Sequence, residues 1–443
     1  MLDSRFFCIK KILYFLLFSA SSSPYCLNGA VLSVETSAST AFLINAENGN
    51  VLFAKNAEEP LYPASTTKIA TAMYAIFLKS SSLDQIVTIS YDSVASVPIA
   101  VRRSGKHPSY RLEFGGTHMG LKVGEQMSLR TLLYGLMLLS GNDAANMIAE
   151  TVSGSIPQFM EELNVFLHKI GCSNTQFKNP HGLPDSEHIT TAKDLARMAQ
   201  VAMTNSTFKE IVSSTKYLRP QTSKQPETPM VQRNALLKPG NKHYYPYATG
   251  VKTGYTIQAG HTIVSSAKKD DRSLIAVVCH KEGSDQRYRS VIQLFEMAFQ
   301  EVKKNRTLFS AAHDLFQQKV DGAKEIVKAV LAEDLVVSFY PSEEKKFYSQ
   351  IQWKKLSLPI EKGEFVGEVM IFDDREILER SMPLFAQKAV EPTLGYQIEQ
   401  IKIQALKQVQ KYRNYIGYLT AAGLLIGALV KVMKRKKKES HKA

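Results

Sequence analysis

The sequence predicts an α+β fold whose antiparallel sheet is assembled from both ends of the main domain. Near the start, two apolar runs over 41–45 and 51–54 flank Asn48-Gly49, which is the pattern of a β-hairpin. Apolar residues at helical spacing fill a central block, and strand-like runs then follow at 250–254, 261–267 and 273–279. A hairpin first, helices in the middle and a meander last predict one sheet packed against a helical layer.

Helical periodicity and capping signals divide the main domain into its remaining elements. We expect a short strand within 83–91 and helices from near Ser65 to 77, over 128–152, over 156–170, from Thr191 to about 203, and over 285–300. The residues 97–120 have no clear period and predict a long loop, and 216–243 predict a polar linker. Within 128–152, we expect Gly141 to end one helix and Asn142 to cap the next.

The C-terminal third changes character. Short strand-like runs at 325–330, 335–339, 349–353 and 365–372 predict a small all-β sandwich over 306–392. Residues 393–414 are polar and helix-forming, typical of a stalk. Residues 415–433 are apolar enough for a short transmembrane anchor, and the basic tail 434–443 places the C-terminus in the cytoplasm. An amphipathic helix on the membrane surface is the alternative.

The N-terminal 30 residues have the pattern of a signal peptide. Arg5, Lys10 and Lys11 precede the apolar run 12–18, which is too short to span a bilayer stably. An uncleaved N-terminal anchor is the alternative. With residues 1–30 assigned in this way, 31–305 form the expected main domain.

Composition excludes several classes of protein. The net charge of the 443 residues is +14, but seven lysines and arginines lie in 431–443, so the excess elsewhere is mild and we expect no nucleic-acid partner. The four cysteines show no metal-ligand spacing, and no cofactor or metal site is expected. No GxSxG, HExxH or P-loop pattern occurs.

The stretch Pro63-Ala-Ser-Thr-Thr-Lys68 places a hydroxyl and an amine on one face of a predicted helix start. A serine becomes a nucleophile when a neighbour takes its proton, and a lysine does so when burial or another cation lowers its pKa. Two further short motifs follow in order, Ser140-Gly-Asn142 in an inter-helix break and Lys252-Thr-Gly254 on a strand. Each motif is weak alone, but the joint occurrence of all three, on a helix start, an inter-helix break and a strand, is much harder to obtain by chance.

The three motifs and their surroundings resemble the low-molecular-mass penicillin-binding proteins, the serine-type D-alanyl-D-alanine carboxypeptidases. The resemblance rests on 61–68, on 136–146, on 179–183 and on 250–256. It covers about 35–300 closely and extends to 306–392, where that family has a second, all-β domain. It implies the penicillin-binding and β-lactamase-like transpeptidase fold. The segment 97–120 is longer than its counterpart in the family.

The resemblance implies a role for each residue of the acyl-transfer step. Ser65 would attack the carbonyl between two D-alanines, and Lys68 would take its proton. Ser140 would pass a proton to the leaving D-alanine. The backbone N–H groups of Ser65 and Tyr255 would bind the oxyanion.

The resemblance also implies a set of substrate-binding residues. Asn142 would position the substrate and the catalytic lysine. Lys252, Thr253 and Gly254 would form the strand that receives the substrate, with the first two binding its terminal carboxylate. Arg287 would be a further carboxylate contact.

The implied function is removal of the terminal D-alanine from peptidoglycan stem peptides, with covalent inhibition by β-lactams. The chain would act outside the cytoplasmic membrane, with cell-wall proteins as further partners of the β-sandwich. A β-lactamase is the first alternative, but it needs a deacylating glutamate that 179–183 lack, and Glu187 is out of pattern. The second alternative, a non-catalytic membrane-tethered scaffold, conflicts with three intact motifs.

Overall fold

The computed structural model describes residues 32–281, 283–374 and 376–439. The expected signal peptide lies outside these residues. The chain divides into two compact units, of which the first is Met1–Lys303 with Tyr340–Glu344, and the second is Lys304–Phe339 with Lys345–Ala443.

The first unit is built on a five-stranded antiparallel sheet. The strands of this unit are β1 (Thr40–Asn45), β2 (Val51–Lys55), β3 (Ile86–Thr88), β4 (Ser96–Val97), β5 (Leu112–Glu113), β6 (Gln126–Ser128), β7 (Lys216–Arg219), β8 (Thr228–Val231), β9 (Ala248–Thr256), β10 (Gly260–Lys269) and β11 (Arg272–His280). The main sheet has the order β2-β1-β11-β10-β9, so the N-terminal hairpin joins the C-terminal meander, as the sequence predicted. This order leaves β9 at one edge.

Helices cover both faces of this sheet. They are α1 (Lys68–Lys79), α2 (Tyr91–Val94), α3 (Ile99–Arg103), α4 (Leu129–Tyr134), α5 (Asn142–Ser153), α6 (Ile156–Lys169), α7 (Ala192–Ala202), α8 (Ser206–Ser213) and α9 (Ser284–Phe299). Alternate strand residues point to opposite faces. Val277 therefore packs with the helical block around α1, whereas Val278 packs with Leu294 and Phe295 of α9.

Four local predictions were wrong in detail. The α-helix expected near Ser65 begins at Lys68, after a 3-10 turn over Ala64–Thr67. The helix break is made by Ser140, whose φ of 65° is left-handed, while Gly141 caps α5 and Asn142 is its first residue. The expected loop 97–120 contains α3 and β5, and the expected linker 216–243 contains the hairpin β7–β8.

The second unit is an all-β domain followed by one long helix. Its strands are β12 (Lys304–Phe309), β13 (Phe316–Gln318), β14 (Val327–Leu331), β15 (Leu335–Phe339), β16 (Phe347–Trp353), β17 (Phe365–Asp373) and β18 (Leu378–Ala386). A two-stranded sheet, β12-β15, and a five-stranded sheet, β13-β14-β18-β17-β16, share one apolar core, which confirms the predicted small sandwich.

The expected stalk and anchor form a single helix, α10 (Leu394–Glu439). Its stretch Leu394–Lys434 is long and apolar enough to cross a membrane by length and composition, and none of it is buried. This helix is a candidate membrane span.

Candidate active site

The side chain of Lys68 reaches the hydroxyl of Ser65. Lys68 is completely buried at the start of α1, and its Nζ lies 3.1 Å from Ser65 Oγ. Two oxygen atoms hold the amine from the other side, Asn142 Oδ1 at 2.7 Å and the His181 carbonyl at 2.7 Å. The amine is therefore fixed in place beside a half-buried serine.

The 3-10 turn that presents Ser65 is fixed by its neighbours. Ala64 has a φ of +49°, which is strained for a residue with a side chain. The hydroxyl of Thr66 donates to the Pro63 carbonyl at 2.7 Å, and that of Thr67 donates to the Ala64 carbonyl at 2.9 Å. Gly182 packs so closely against the same Ala64 carbonyl that a Cβ there would overlap it. These contacts fix the turn before any substrate binds.

The charge state of Lys68 follows from its burial. Loss of water holds the pKa of Lys68 well below its usual value, the nearby cations Lys252 and Arg233 lower it further, and Asp143 opposes them. A neutral amine hydrogen-bonded to a serine hydroxyl can act as a general base.

The turn Ser140-Gly-Asn142 supplies one of the two oxygen atoms that hold Lys68. Asn142 is buried at the start of α5, and its side chain points to the amine. Ser140 is also buried, but among the described residues its Oγ makes no hydrogen bond to Ser65 or Lys68. The structure thus brings the Asn142 side chain into contact with Lys68. Ser140 lies two positions earlier in the same turn and does not share that hydrogen bond.

The strand β9 passes directly beside the serine. A Cβ built on Gly254 would lie 2.9 Å from the backbone nitrogen of Ser65 and 2.5 Å from Thr262 Oγ1, so only glycine fits here. Lys252, on the same strand, is buried and donates to the Thr253 carbonyl at 3.0 Å. Burial, with the cations Arg233 and Arg287 nearby, lowers the pKa of Lys252 to about 7.

Arg287 on α9 contacts the edge strand β9. Its Nη1 donates to the Gly254 carbonyl at 3.0 Å, and its guanidinium lies over the ring of Tyr288. Its Nε is buried without a hydrogen-bond partner among the described residues. Tyr255 follows at the exposed end of β9, where its ring stacks on His261 with the ring centroids 4.4 Å apart.

Arg233 is a residue that the sequence interpretation missed. It lies in the loop after β8, inside the stretch expected to be a featureless linker. It is exposed, and its charge acts on both Lys68 and Lys252. No motif marks it, because its position depends on the fold of the β7–β8 hairpin.

His181 is not a candidate base. Its Nδ1 accepts the Leu183 N–H at 3.1 Å, which leaves Nε2 as the donor to the Tyr110 carbonyl at 3.1 Å. Burial holds the pKa of His181 well below its usual value. Both ring nitrogens are occupied, so His181 has a structural role in its loop.

Comparison with known proteins identifies the family. Residues 28–283, more than half of the chain, match the family described as D-alanyl-D-alanine carboxypeptidase. The chain belongs to this carboxypeptidase family. Residues 304–392 match a second family, described as the C-terminal domain of penicillin-binding protein 5.

Individual members of the carboxypeptidase family align over most of the chain. The D-alanyl-D-alanine carboxypeptidase DacF of Bacillus subtilis is 31% identical over 348 residues, which are 78% of this chain and 84% of the relative. DacC of Escherichia coli is 27% identical, over 85% of this chain and 90% of the relative. The crystal structure of penicillin binding protein 5 from Haemophilus influenzae, 25% identical, superposes with a TM-score of 0.54 over 81% of this chain and 99% of that one. These matches confirm the serine-hydrolase family and the fold predicted from the motifs.

Proposed function

We propose that this chain is a serine D-alanyl-D-alanine carboxypeptidase that removes the terminal D-alanine from peptidoglycan stem pentapeptides. The observation that carries the proposal is the buried amine of Lys68, 3.1 Å from Ser65 Oγ. Family membership and the names of the relatives support the same substrate class.

The reaction begins with attack on the carbonyl carbon between the two D-alanines. Ser65 Oγ forms the new C–O bond, and its proton moves to the neutral Lys68 amine. The C–N bond then breaks, and the leaving D-alanine nitrogen receives a proton, for which Ser140 is the proposed relay. Water hydrolyses the resulting ester and regenerates the Ser65 hydroxyl.

The negative charge of the tetrahedral intermediate needs fixed donors. The backbone N–H groups of Ser65 and Tyr255 are the proposed pair, and donors of this kind stabilise a transition state because they need no reorganisation. The contact of Gly254 with the Ser65 backbone supports this assignment, because it keeps the two backbone segments adjacent.

Cations around β9 suit a substrate that ends in a carboxylate. Lys252 and Thr253 are the proposed carboxylate ligands, with Gly254 as the close-packed strand position and Asn142 orienting the substrate. Arg287 holds the Gly254 carbonyl, so we assign it to positioning the strand as well as adding positive charge.

β-Lactams are the proposed covalent inhibitors, forming the same ester on Ser65. A β-lactamase would hydrolyse that ester rapidly with a general base. Glu187 does not fit that task, because its carboxylate is exposed and paired with Lys178 at 3.0 Å. A long-lived adduct is therefore expected.

The test is D-alanine release by the full-length chain in detergent from a peptide ending in D-Ala-D-Ala. We expect release by the wild type and by Ser338→Ala, an exposed serine of the second unit, and none by Ser65→Ala. Equal release by wild type and Ser65→Ala, or no release by the wild type, would contradict the proposal.

We also propose a cell-membrane location with the catalytic domain, 31–305, on the extracytoplasmic side. The sandwich 306–392 and the stalk 393–414 would lie on that side too, with 415–433 spanning the membrane and 434–443 in the cytoplasm. The length and hydropathy of α10 support an anchor. A chain that ends at residue 392 should leave the membrane fraction while still releasing D-alanine, and its retention in that fraction would contradict the anchor.

A further inference from the structure

The long segment between the first two motifs contacts both loops that hold Lys68. This segment, Arg102–Leu121, is called the brace below. The two loops are the turn at Asn142 and the loop at His181, which each give one oxygen atom to the amine at 2.7 Å.

One end of the brace is attached to the Asn142 turn. The Thr117 carbonyl accepts the Asn142 N–H at 2.8 Å. The neighbouring Asp143 is buried, and its two carboxylate oxygens accept three consecutive brace N–H groups, those of Met119, Gly120 and Leu121, at 2.7 to 3.0 Å. A carboxylate that accepts several N–H groups in a buried site fixes the geometry of both segments.

The other end of the brace is attached to the His181 loop. The His181 ring donates to the Tyr110 carbonyl, and the Asn179 side chain donates to Ser109 Oγ at 3.1 Å. The buried Arg102 links the two segments, because it donates to the Pro184 carbonyl of the loop at 2.8 Å and to the Ser109 carbonyl of the brace at 2.8 Å.

We propose that the brace positions Lys68 for proton abstraction, with Arg102 and Asp143 as the positioning residues that attach it to the two loops. The proposal rests on the proposed function only in taking Lys68 as the base. If either attachment is lost, the amine keeps its burial but loses its fixed direction toward Ser65 Oγ.

The pH dependence of acylation reports the charge of Asp143, whereas the acylation rate of a folded variant reports the positioning of Lys68. The charged groups that face Lys68 are Lys252 on β9, Arg233 in the loop after β8 and Asp143 on α5, and the neutral His181 faces it from its loop. Asp143 is the anion in this set. Replacing it by Asn therefore lowers the pKa of Lys68 and moves the acid limb of acylation to lower pH.

The experiment measures acylation of the full-length chain by a fluorescent penicillin as a function of pH. We expect Asp143→Asn to be acylated about 100-fold more slowly at its optimum, with the acid limb at lower pH, since small misplacements of a reacting group have costs of that order. Arg102→Lys should be slowed with its acid limb unchanged. Lys106→Ala, at the exposed tip of the brace, should match the wild type.

The outcomes distinguish this inference from the proposed function. Folded variants, judged by circular dichroism, that are acylated at the wild-type rate at their own pH optimum would overturn the brace. If Asp143→Asn does not fold, the acylation rate of Arg102→Lys tests the proposal by itself. A wild type that is acylated by penicillin but releases no D-alanine would contradict the carboxypeptidase proposal and leave the brace measurement valid.

Discussion

Gly254 and Ser65 lie so close that a methyl group on Gly254 would be 2.9 Å from the Ser65 backbone nitrogen. Gly254→Ala should therefore push β9 away from the serine. We expect acylation by penicillin to fall about 100-fold and the free energy of unfolding to fall by about 1–3 kcal/mol. Gly395→Ala is the matched control, because a Cβ there meets nothing within 4 Å. Wild-type acylation by Gly254→Ala would show that the close approach is not needed.

Removing the Arg233 charge should shift the whole pH profile of kcat/KM for a D-Ala-D-Ala peptide. In the proposed mechanism, Lys68 must be neutral to act as a base, and Lys252, with a pKa of about 7, must be charged to bind a carboxylate. Arg233 lowers the pKa of both lysines. In Arg233→Gln both pKa values rise, so the acid and alkaline limbs should both move to higher pH. If neither limb of the pH profile moves, the charge of Arg233 does not act on the two lysines.

Asn142→Asp should impair the base without changing its packing. The substitution puts a carboxylate where an amide oxygen now lies 2.7 Å from Lys68 Nζ. An adjacent anion raises the pKa of the amine, which is then protonated at neutral pH. Stopped-flow acylation should show a rate at least about tenfold lower at pH 7, since one pKa unit is a tenfold change, with partial recovery at higher pH. A rate with the wild-type pH dependence would argue against Lys68 as the base.

The first unit depends on a buried ion pair that involves Tyr340–Glu344. Arg272 is 2% exposed, its Nη2 lies 2.6 Å from Glu343 Oε1, and Glu301 is its second partner at 3.1 Å. Removing one partner of a buried pair leaves an uncompensated charge. Glu343→Ala should therefore cost about 3 kcal/mol in the free energy of unfolding, measured by urea denaturation.

The control for this stability prediction is Glu58→Ala. Its partner Lys193 and Glu58 itself are both exposed, and such pairs contribute less than about 1 kcal/mol. Equal effects of the two substitutions would contradict a special role for the Arg272–Glu343 pair.

Sequence patterns predicted the parts of this protein that depend on local chemistry. The hairpin at Asn48-Gly49, the meander and the order of the three motifs are encoded by turn residues, by alternation and by short fixed spacings. Ser65 and Lys68 were expected on one helical face. They do meet, although across a 3-10 turn whose shape depends on Gly182 from a distant loop.

Features set by tertiary contacts were not visible in the sequence. The left-handed break falls on Ser140 and not on Gly141, directly after a π-helical turn over Gly135–Leu139. Arg233 belongs to no motif. The fold of the β7–β8 hairpin determines where its charge lies relative to the two lysines. The sequence predicted a loop for the brace, because its conformation depends on hydrogen bonds between its backbone and the side chains of Arg102 and Asp143.

The central claim is that Ser65 is the nucleophile, and the most direct measurement is mass spectrometry of the penicillin-treated chain after proteolysis. We predict one added penicilloyl group on the peptide that contains Ser65, stable for minutes or longer, and no adduct in Ser65→Ala. An adduct on another residue, or an unchanged adduct in Ser65→Ala, would contradict the account.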